Sequence, residues 1–371
     1  MINSIAAISS LVCIITVCSA LSSPINRVMI VGGTHGNEYT GVWCIKSLEM
    51  QRKKWESKYP SLQLETILGN PEAHLLNKRF VDTDLNREFV VDKLCAIDES
   101  LSRNTINQPR LDTVESIRAR ELDEILGSKC DENSHEVDVC IDLHSTTSNM
   151  GTTIIIPEGD ELMAQAAAYV SLKCPGSRCL MHSIPERMHR PNLSSAAKHG
   201  FTIEVGPVPV GVLRHDAVEN TEAALHAILD FLQRVNKGED IYGYLQDSFP
   251  DGWVPCFRTA PAIRPGEISG KIKWPCDPDN PNFPALMVHK SLQDRDYQLV
   301  RKGDPLFVAG DGSVVNYEGS HGEEVYLIFI NEAGYYYQSS GTGIGVAVES
   351  KFDLEYGMLF DFENVDELTY E

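Results

Sequence analysis

The sequence predicts an α/β protein with a doubly wound, largely parallel sheet, followed by a smaller β-rich C-terminal domain. Two patterns carry that prediction. Up to Asn236-Lys237-Gly238, short apolar runs alternate with helical segments, as in a sheet wound with crossover helices. Beyond that tripeptide the helical periodicity fades and short segments punctuated by Pro and Gly take over. The chain has 371 residues, 42% of them hydrophobic, enough to bury a substantial core.

Taken in order, Val28 to Val31 is an apolar run ending in Gly32-Gly33, the pattern of a buried parallel strand and a tight turn. Gly41 to Met50 fits a helix, Leu64 to Leu68 a second strand, Thr113 to Leu126 a helix and Asp138 to Leu143 a third strand. Ala164 to Leu172 and Ala217 to Val235 read as helices, the latter with Leu225, Ile228, Leu229 and Leu232 on one stripe, and Thr202 to Val205 between them is strand-like. Residues 27–236 thus form the first domain. In 239–354, Ile268 to Ile272, Pro305 to Val308, Glu324 to Ile330 and Ile344 to Val348 read as strands, and 355–371 is an acidic tail.

Ile5 to Leu21 is an uncharged apolar run with the small pair Ser19-Ala20 near its end, so residues 1–20 read as a signal peptide; a retained anchor is the rival. The implied location is secreted or in the lumen of the secretory pathway. Removal takes Cys13 and Cys18 and leaves an even set of cysteines. In such a compartment disulfides are permitted, with Cys174/Cys179 and Cys256/Cys276 the first local pairings to test. Asn192-Leu193-Ser194 is a glycosylation sequon whose use needs an exposed loop. A net charge of -21 argues against nucleic acid or an anionic membrane as partner. An anionic ligand therefore has to be caught by locally placed arginines.

Four segments carry candidate chemistry. In Gly32-Gly33-Thr34-His35-Gly36-Asn37-Glu38, His35 and Glu38 stand three apart on a turn after a strand. His144 ends the strand of Asp142-Leu143-His144, and ligands in open parallel sheets bind at the carboxyl ends of strands. Two imidazoles and a carboxylate with an open fourth place make a catalytic zinc site, with Asp142 either orienting His144 or simply facing inward. Glu204 sits in the apolar strand Ile203-Glu204-Val205 before Gly206-Pro207, costly unless paired or functional. It suits a general base beside a metal. The loop Arg79-Phe80-Val81-Asp82-Thr83-Asp84-Leu85-Asn86-Arg87 offers two guanidinium forks and an amide for a carboxylate or an oxyanion, or else is a salt-bridged surface loop.

With GDPLF and NEAGYY, these motifs resemble the aspartoacylase/aminoacylase-3 family over about Arg27 to Tyr337, a family similar to zinc carboxypeptidases. The resemblance implies a zinc carboxypeptidase-like mixed sheet and one zinc ion per chain on His35, Glu38 and His144. It further implies Glu204 as general base, Arg79 polarising the scissile carbonyl, and Asn86 and Arg87 holding the α-carboxylate. Tyr335 matches a pocket tyrosine from the C-terminal domain, which would roof the site.

The implied activity is hydrolysis of small N-acyl, chiefly N-acetyl, amino acids to a carboxylate and a free amino acid. The pattern breaks where aspartoacylase has a Tyr and an Arg for the aspartate side chain: Arg190 and Ser194 stand there. Arg190 or Arg187 has to replace that arginine, or the substrate is neutral or aromatic. A secreted zinc carboxypeptidase acting on peptides and a non-catalytic zinc- or carboxylate-binding protein are the alternatives. Family members are often oligomers, which leaves a homo-oligomer open.

Overall fold

The apolar runs owe their composition to a sheet covered on both faces. The computed structural model describes residues 24–95, 112–131, 134–184, 186–264, 267, 269–280, 283–336 and 343–360. The segment expected to be a signal peptide and most of the acidic tail lie outside these residues. Four parallel strands lie side by side in the order β2 (Gln63–Leu68), β1 (Arg27–Gly32), β3 (Val139–Ser145), β6 (His199–Gly206). Val28 and Ile30 of β1 face one core with helices α1 (Tyr39–Met50), α3 (Glu161–Lys173) and α4 (His215–Asn236). Met29 and Val31 face another, with α2 (Val114–Leu126). Because successive side chains alternate between two buried faces, both sets must be apolar.

Several strands were not legible in the sequence, three of them in the middle of the large sheet. β4 (Gly151–Pro157) runs antiparallel to β6, β5 (Arg178–His182) runs parallel to β4, and β7 (Trp253–Thr259) runs parallel to β5. β7 links the two halves. Through it the sheet continues into β14 (Ile344–Asp353), β13 (Glu324–Ile328) and β10 (Gln298–Arg301), all antiparallel, with β8 (Lys271–Ile272) also on β14. The β-rich region expected at the C-terminus is present, with a further three-stranded sheet of β9 (Met287–Val288), β11 (Pro305–Val308) and β12 (Val314–Asn316). It shares one sheet with the α/β region, which brings its loops over the carboxyl ends of β3 and β6.

The expected cysteine pairs are absent. Cys174, Cys179, Cys256 and Cys276 are free thiols, and the disulfide among the described residues joins Cys95 to Cys130. Cys179 and Cys256 sit inside the sheet, where burial raises both thiols. No helix among the described residues is long and apolar enough to cross a membrane.

Candidate active site

The turn after β1 depends on two glycines. Gly33 has φ +72°, a conformation L side chains rarely adopt, and a Cβ at Gly36 would meet the Ala73 backbone at 2.2 Å. The Gly36 N–H donates to the Arg79 carbonyl, so this turn and the 79–87 loop are laced together. Glu38 follows as the residue preceding α1, where the helix N-terminus favours its negative charge. In the parallel register Gly32 lies beside Leu143 and His144 beside Glu204, which assembles the ends of three strands at one place.

His35, Glu38 and His144 are all buried, and their ligand atoms lie within 4.8 Å of one another. His35 Nδ1 is 2.5 Å from Glu38 Oε1, and His144 Nδ1 is 3.0 Å from Glu38 Oε2. Each ring presents its other nitrogen to a carboxylate: His35 Nε2 to Asp84 at 3.1 Å, His144 Nε2 to Asp142 at 2.8 Å. Asp142 in turn accepts from Thr34 Oγ1 at 2.6 Å. This answers the question left by Asp142: it orients the histidine. Paired carboxylates behind two inward-facing imidazoles are the usual support of a metal-binding histidine pair, so the donor set fits a divalent ion. Burial opposes ionisation of Glu38, yet the two imidazoles hold its carboxyl well below the usual range.

Arg79 lies against this cluster, with Nη1 3.3 Å from Glu38 Oε1 and 3.7 Å from Glu332 Oε1, and Nη2 3.2 Å from Asp84 Oδ2. Burial opposes the charge, but these three carboxylates raise the guanidinium pKa. Gly334 packs on the guanidinium so closely that a Cβ there would lie 2.7 Å from it. The Arg79 Nε is buried with no partner. Glu204 lines the same space, and burial, with Glu38 and Glu332, pushes its carboxyl well above the usual range against the pull of His144 and Arg79.

The cavity has a volume of about 470 Å³, and Arg79, Asn86, Arg87, Arg190, Glu204 and Tyr335 all line it. Asn86 is already engaged: its Oδ1 accepts from Leu193 N at 2.9 Å and its Nδ2 lies 3.2 Å from His144 Nε2. Tyr335 comes over from the C-terminal region, its ring 5.9 Å from Arg79 Cζ. Arg190 lines the wall, whereas Arg187 is not among the lining residues. The Arg187 guanidinium is spent on the carbonyls of Ser195, Ala197, Gly127 and Ala196, so it cannot replace the missing arginine. Asn192 of the sequon is half-buried in the same wall with its amide on Ser194 Oγ, at odds with an exposed loop.

Sequence reasoning missed several groups. His182 and Lys271 line the cavity; burial, then Arg87, Arg190 and Lys271, push His182 down to about 4. Burial and Arg87 likewise push Lys271 down to about 8. Arg87, Arg190 and Lys271 thus gather positive charge on one part of the cavity wall in an acidic protein. Glu115, at the start of α2, is completely buried and accepts from Asn70 Nδ2 and the backbone N–H of Val81, Asp82 and Thr83, which holds the 79–87 loop. Glu332 accepts from Thr147 N, Gly334 N and Thr146 Oγ1, tying the Tyr335 turn to the end of β3. Only an acidic residue in a helix's first turn hinted at Glu115; His182 lay on a strand that was not read.

An α/β sheet with a buried His-Glu-His cluster, a further buried carboxylate on the adjoining strand and several arginines on one cavity wall has the architecture of carboxypeptidase-like hydrolases. Residues 24–232 match the Succinylglutamate desuccinylase/Aspartoacylase catalytic domain and residues 267–342 the AstE/AspA barrel-sandwich hybrid domain. The chain belongs to this succinylglutamate desuccinylase/aspartoacylase family. A probable aspartoacylase of Nostoc sp. is 39% identical over 312 residues, 84% of this chain and 93% of that protein. The N-acyl-aromatic-L-amino acid amidohydrolase (carboxylate-forming) B of Danio rerio is 36% identical over 315 residues, 83% of this chain and 89% of that one. The crystal structure of murine aminoacylase 3 superposes with a TM-score of 0.71 at 28% identity, covering 91% of this chain and 99% of the other.

Proposed function

We propose that the protein is a zinc-dependent amidohydrolase of N-acyl amino acids, releasing a carboxylate and the free amino acid. The observation that carries this reading is the single cavity wall shared by the His35-Glu38-His144 cluster, Glu204 and the guanidinium groups of Arg79 and Arg87. Bound zinc supplies Lewis-acid polarisation and makes water a usable nucleophile near neutral pH. His35, Glu38 and His144 hold it, with Asp84 and Asp142 fixing the two rings. Glu204 takes the proton of the attacking water and passes it to the leaving nitrogen; its raised pKa suits both halves of that task. The Arg79 guanidinium, which lines the cavity beside the cluster, is the group placed to stabilise the developing oxyanion.

Arg87 receives the α-carboxylate, beside the amide of Asn86, and Arg190 contacts the amino-acid side chain. Lys271, Phe329 and Tyr335 line the cavity from the C-terminal region, which suits a small acyl amino acid better than a peptide chain. The Cys95–Cys130 disulfide supports a secreted or lumenal enzyme.

Replacing Glu204→Gln keeps shape and removes the proton acceptor. Turnover of N-acetyl amino acids is expected to fall by at least about a hundredfold with bound zinc unchanged. Retained turnover in that variant would remove Glu204 from the mechanism.

A further inference from the structure

Lys129 is completely buried, and its Nζ meets three oxygens from two separate stretches of chain: Phe89 O at 2.8 Å on one, Arg190 O at 2.7 Å and Ser195 Oγ at 2.6 Å on the other. Phe89 lies two residues beyond Arg87. Arg190 and Ser195 bracket a wall in which Arg190, Pro191, Asn192, Ser194 and Ser195 all face the cavity. The nearest carboxylate, Asp123, accepts the Lys129 backbone N–H, at 3.2 Å. The buried amine is therefore solvated by those three oxygens.

Such burial is expensive unless every donor is used. Burial and Arg187, opposed by Asp123, push the ammonium down to about 6. The ammonium donates three bonds, and the Ser195 hydroxyl that accepts one of them donates onward to the Asn192 carbonyl, so every donor at this place is used. A methionine would fill the same volume, so what the lysine adds is the link between these oxygens. Two further bonds run across the same joint, Phe89 N to Pro191 O at 3.2 Å and Leu193 N to Asn86 Oδ1 at 2.9 Å.

We propose that Lys129 is a positioning residue for substrate recognition: it locks the segment after Asn86 and Arg87 to the 190–195 wall, and so sets affinity for the amino-acid portion without touching it. The inference rests on the reading of the site as an N-acyl amino acid pocket. Arg190 is the part of the wall through which Lys129 acts, because the ammonium holds the carbonyl of that same residue.

The test uses the full chain as wild type, K129M, K129Q, R190A and K129M/R190A, each checked for bound zinc and melting, with a panel of N-acetyl amino acids. K129M leaves the Phe89 carbonyl without its donor and the Arg190 carbonyl with only the Ser195 hydroxyl, which is expected to raise KM about tenfold or more while kcat stays within about threefold. K129Q, which keeps one donor group, is expected to fall between. In the R190A background K129M is expected to raise KM less than about twofold, since the two act through one element. Hydrogen exchange is expected to quicken at residues 189–197 and 87–91 in K129M and not in β1, β3 or β6.

An unchanged KM in K129M, a full tenfold effect in the R190A background, or unchanged exchange at those segments would each overturn the proposal. If K129M fails to fold, K129Q carries the same comparisons. If the wild type cleaves nothing in the panel, the substrate reading fails, and the exchange comparison alone decides whether Lys129 couples the two segments.

Discussion

Glu115 makes the sharpest demand on the structure. Its carboxylate accepts four hydrogen bonds, from Asn70 Nδ2 at 2.9 Å, Val81 N at 2.7 Å, and Asp82 N and Thr83 N at 3.0 Å each. Oε1 takes the first two and Oε2 the last two. A glutamine has one acceptor atom, so in Glu115→Gln either orientation of the amide turns an NH2 group toward two buried donors. With bonds to a charged acceptor at about 1.5 kcal/mol each, the variant loses roughly 3 kcal/mol of stability. Those donors belong to the loop that carries Arg79, Asn86 and Arg87. Displacing that loop by a fraction of an ångström is expected to lower kcat/KM between about tenfold and a hundredfold with zinc still bound. Urea unfolding measures the first quantity and steady-state hydrolysis the second. A variant within about 0.5 kcal/mol and twofold of wild type would refute the idea that Glu115 holds the loop.

His226 stacks on Trp55 at 4.2 Å and accepts from the Tyr59 hydroxyl at 2.7 Å, and burial with Lys58 and Lys54 pushes it down from 6.5 to about 4. The unfolded chain binds this proton more readily, so stability from this group is present above about 6.5 and lost as pH falls toward 4. Thermal melts across that window are expected to show a shallower pH slope for His226→Gln than for wild type; equal slopes contradict it. Closing a loop of 35 residues, the Cys95–Cys130 bond is worth about 4 kcal/mol by chain entropy. Cys130→Ser is expected to lose stability on that scale, and reductant to add nothing further; an unchanged unfolding midpoint speaks against the bridge.

The His35-Glu38-His144 cluster and Glu204 were legible because each costs something where it stands: a Glu within an apolar strand, and a His and Glu on a glycine turn, have few bland explanations once strand ends converge. Arg87 and Tyr335 were reached through motif resemblance and the structure puts them on the cavity. Glu115 and Lys129 were invisible for the opposite reason. An acidic residue in a helix's first turn and a lysine in a polar loop are what any surface would show, and their burial comes from tertiary contacts with residues 34 and 61 positions away. The Cys95–Cys130 pair was hidden likewise, since local spacing favoured closer partners. β7 went unread because Pro255 and Arg258 interrupt its apolar residues, one on each face of the strand.

The most direct measurement is amine release by the purified protein from N-acetyl amino acids, before chelation, after it, and after zinc is returned. The account predicts cleavage that chelation abolishes and zinc restores, with none of it in Glu204→Gln. Zinc bound at His35, Glu38 and His144 without cleavage of any substrate in the panel would contradict it.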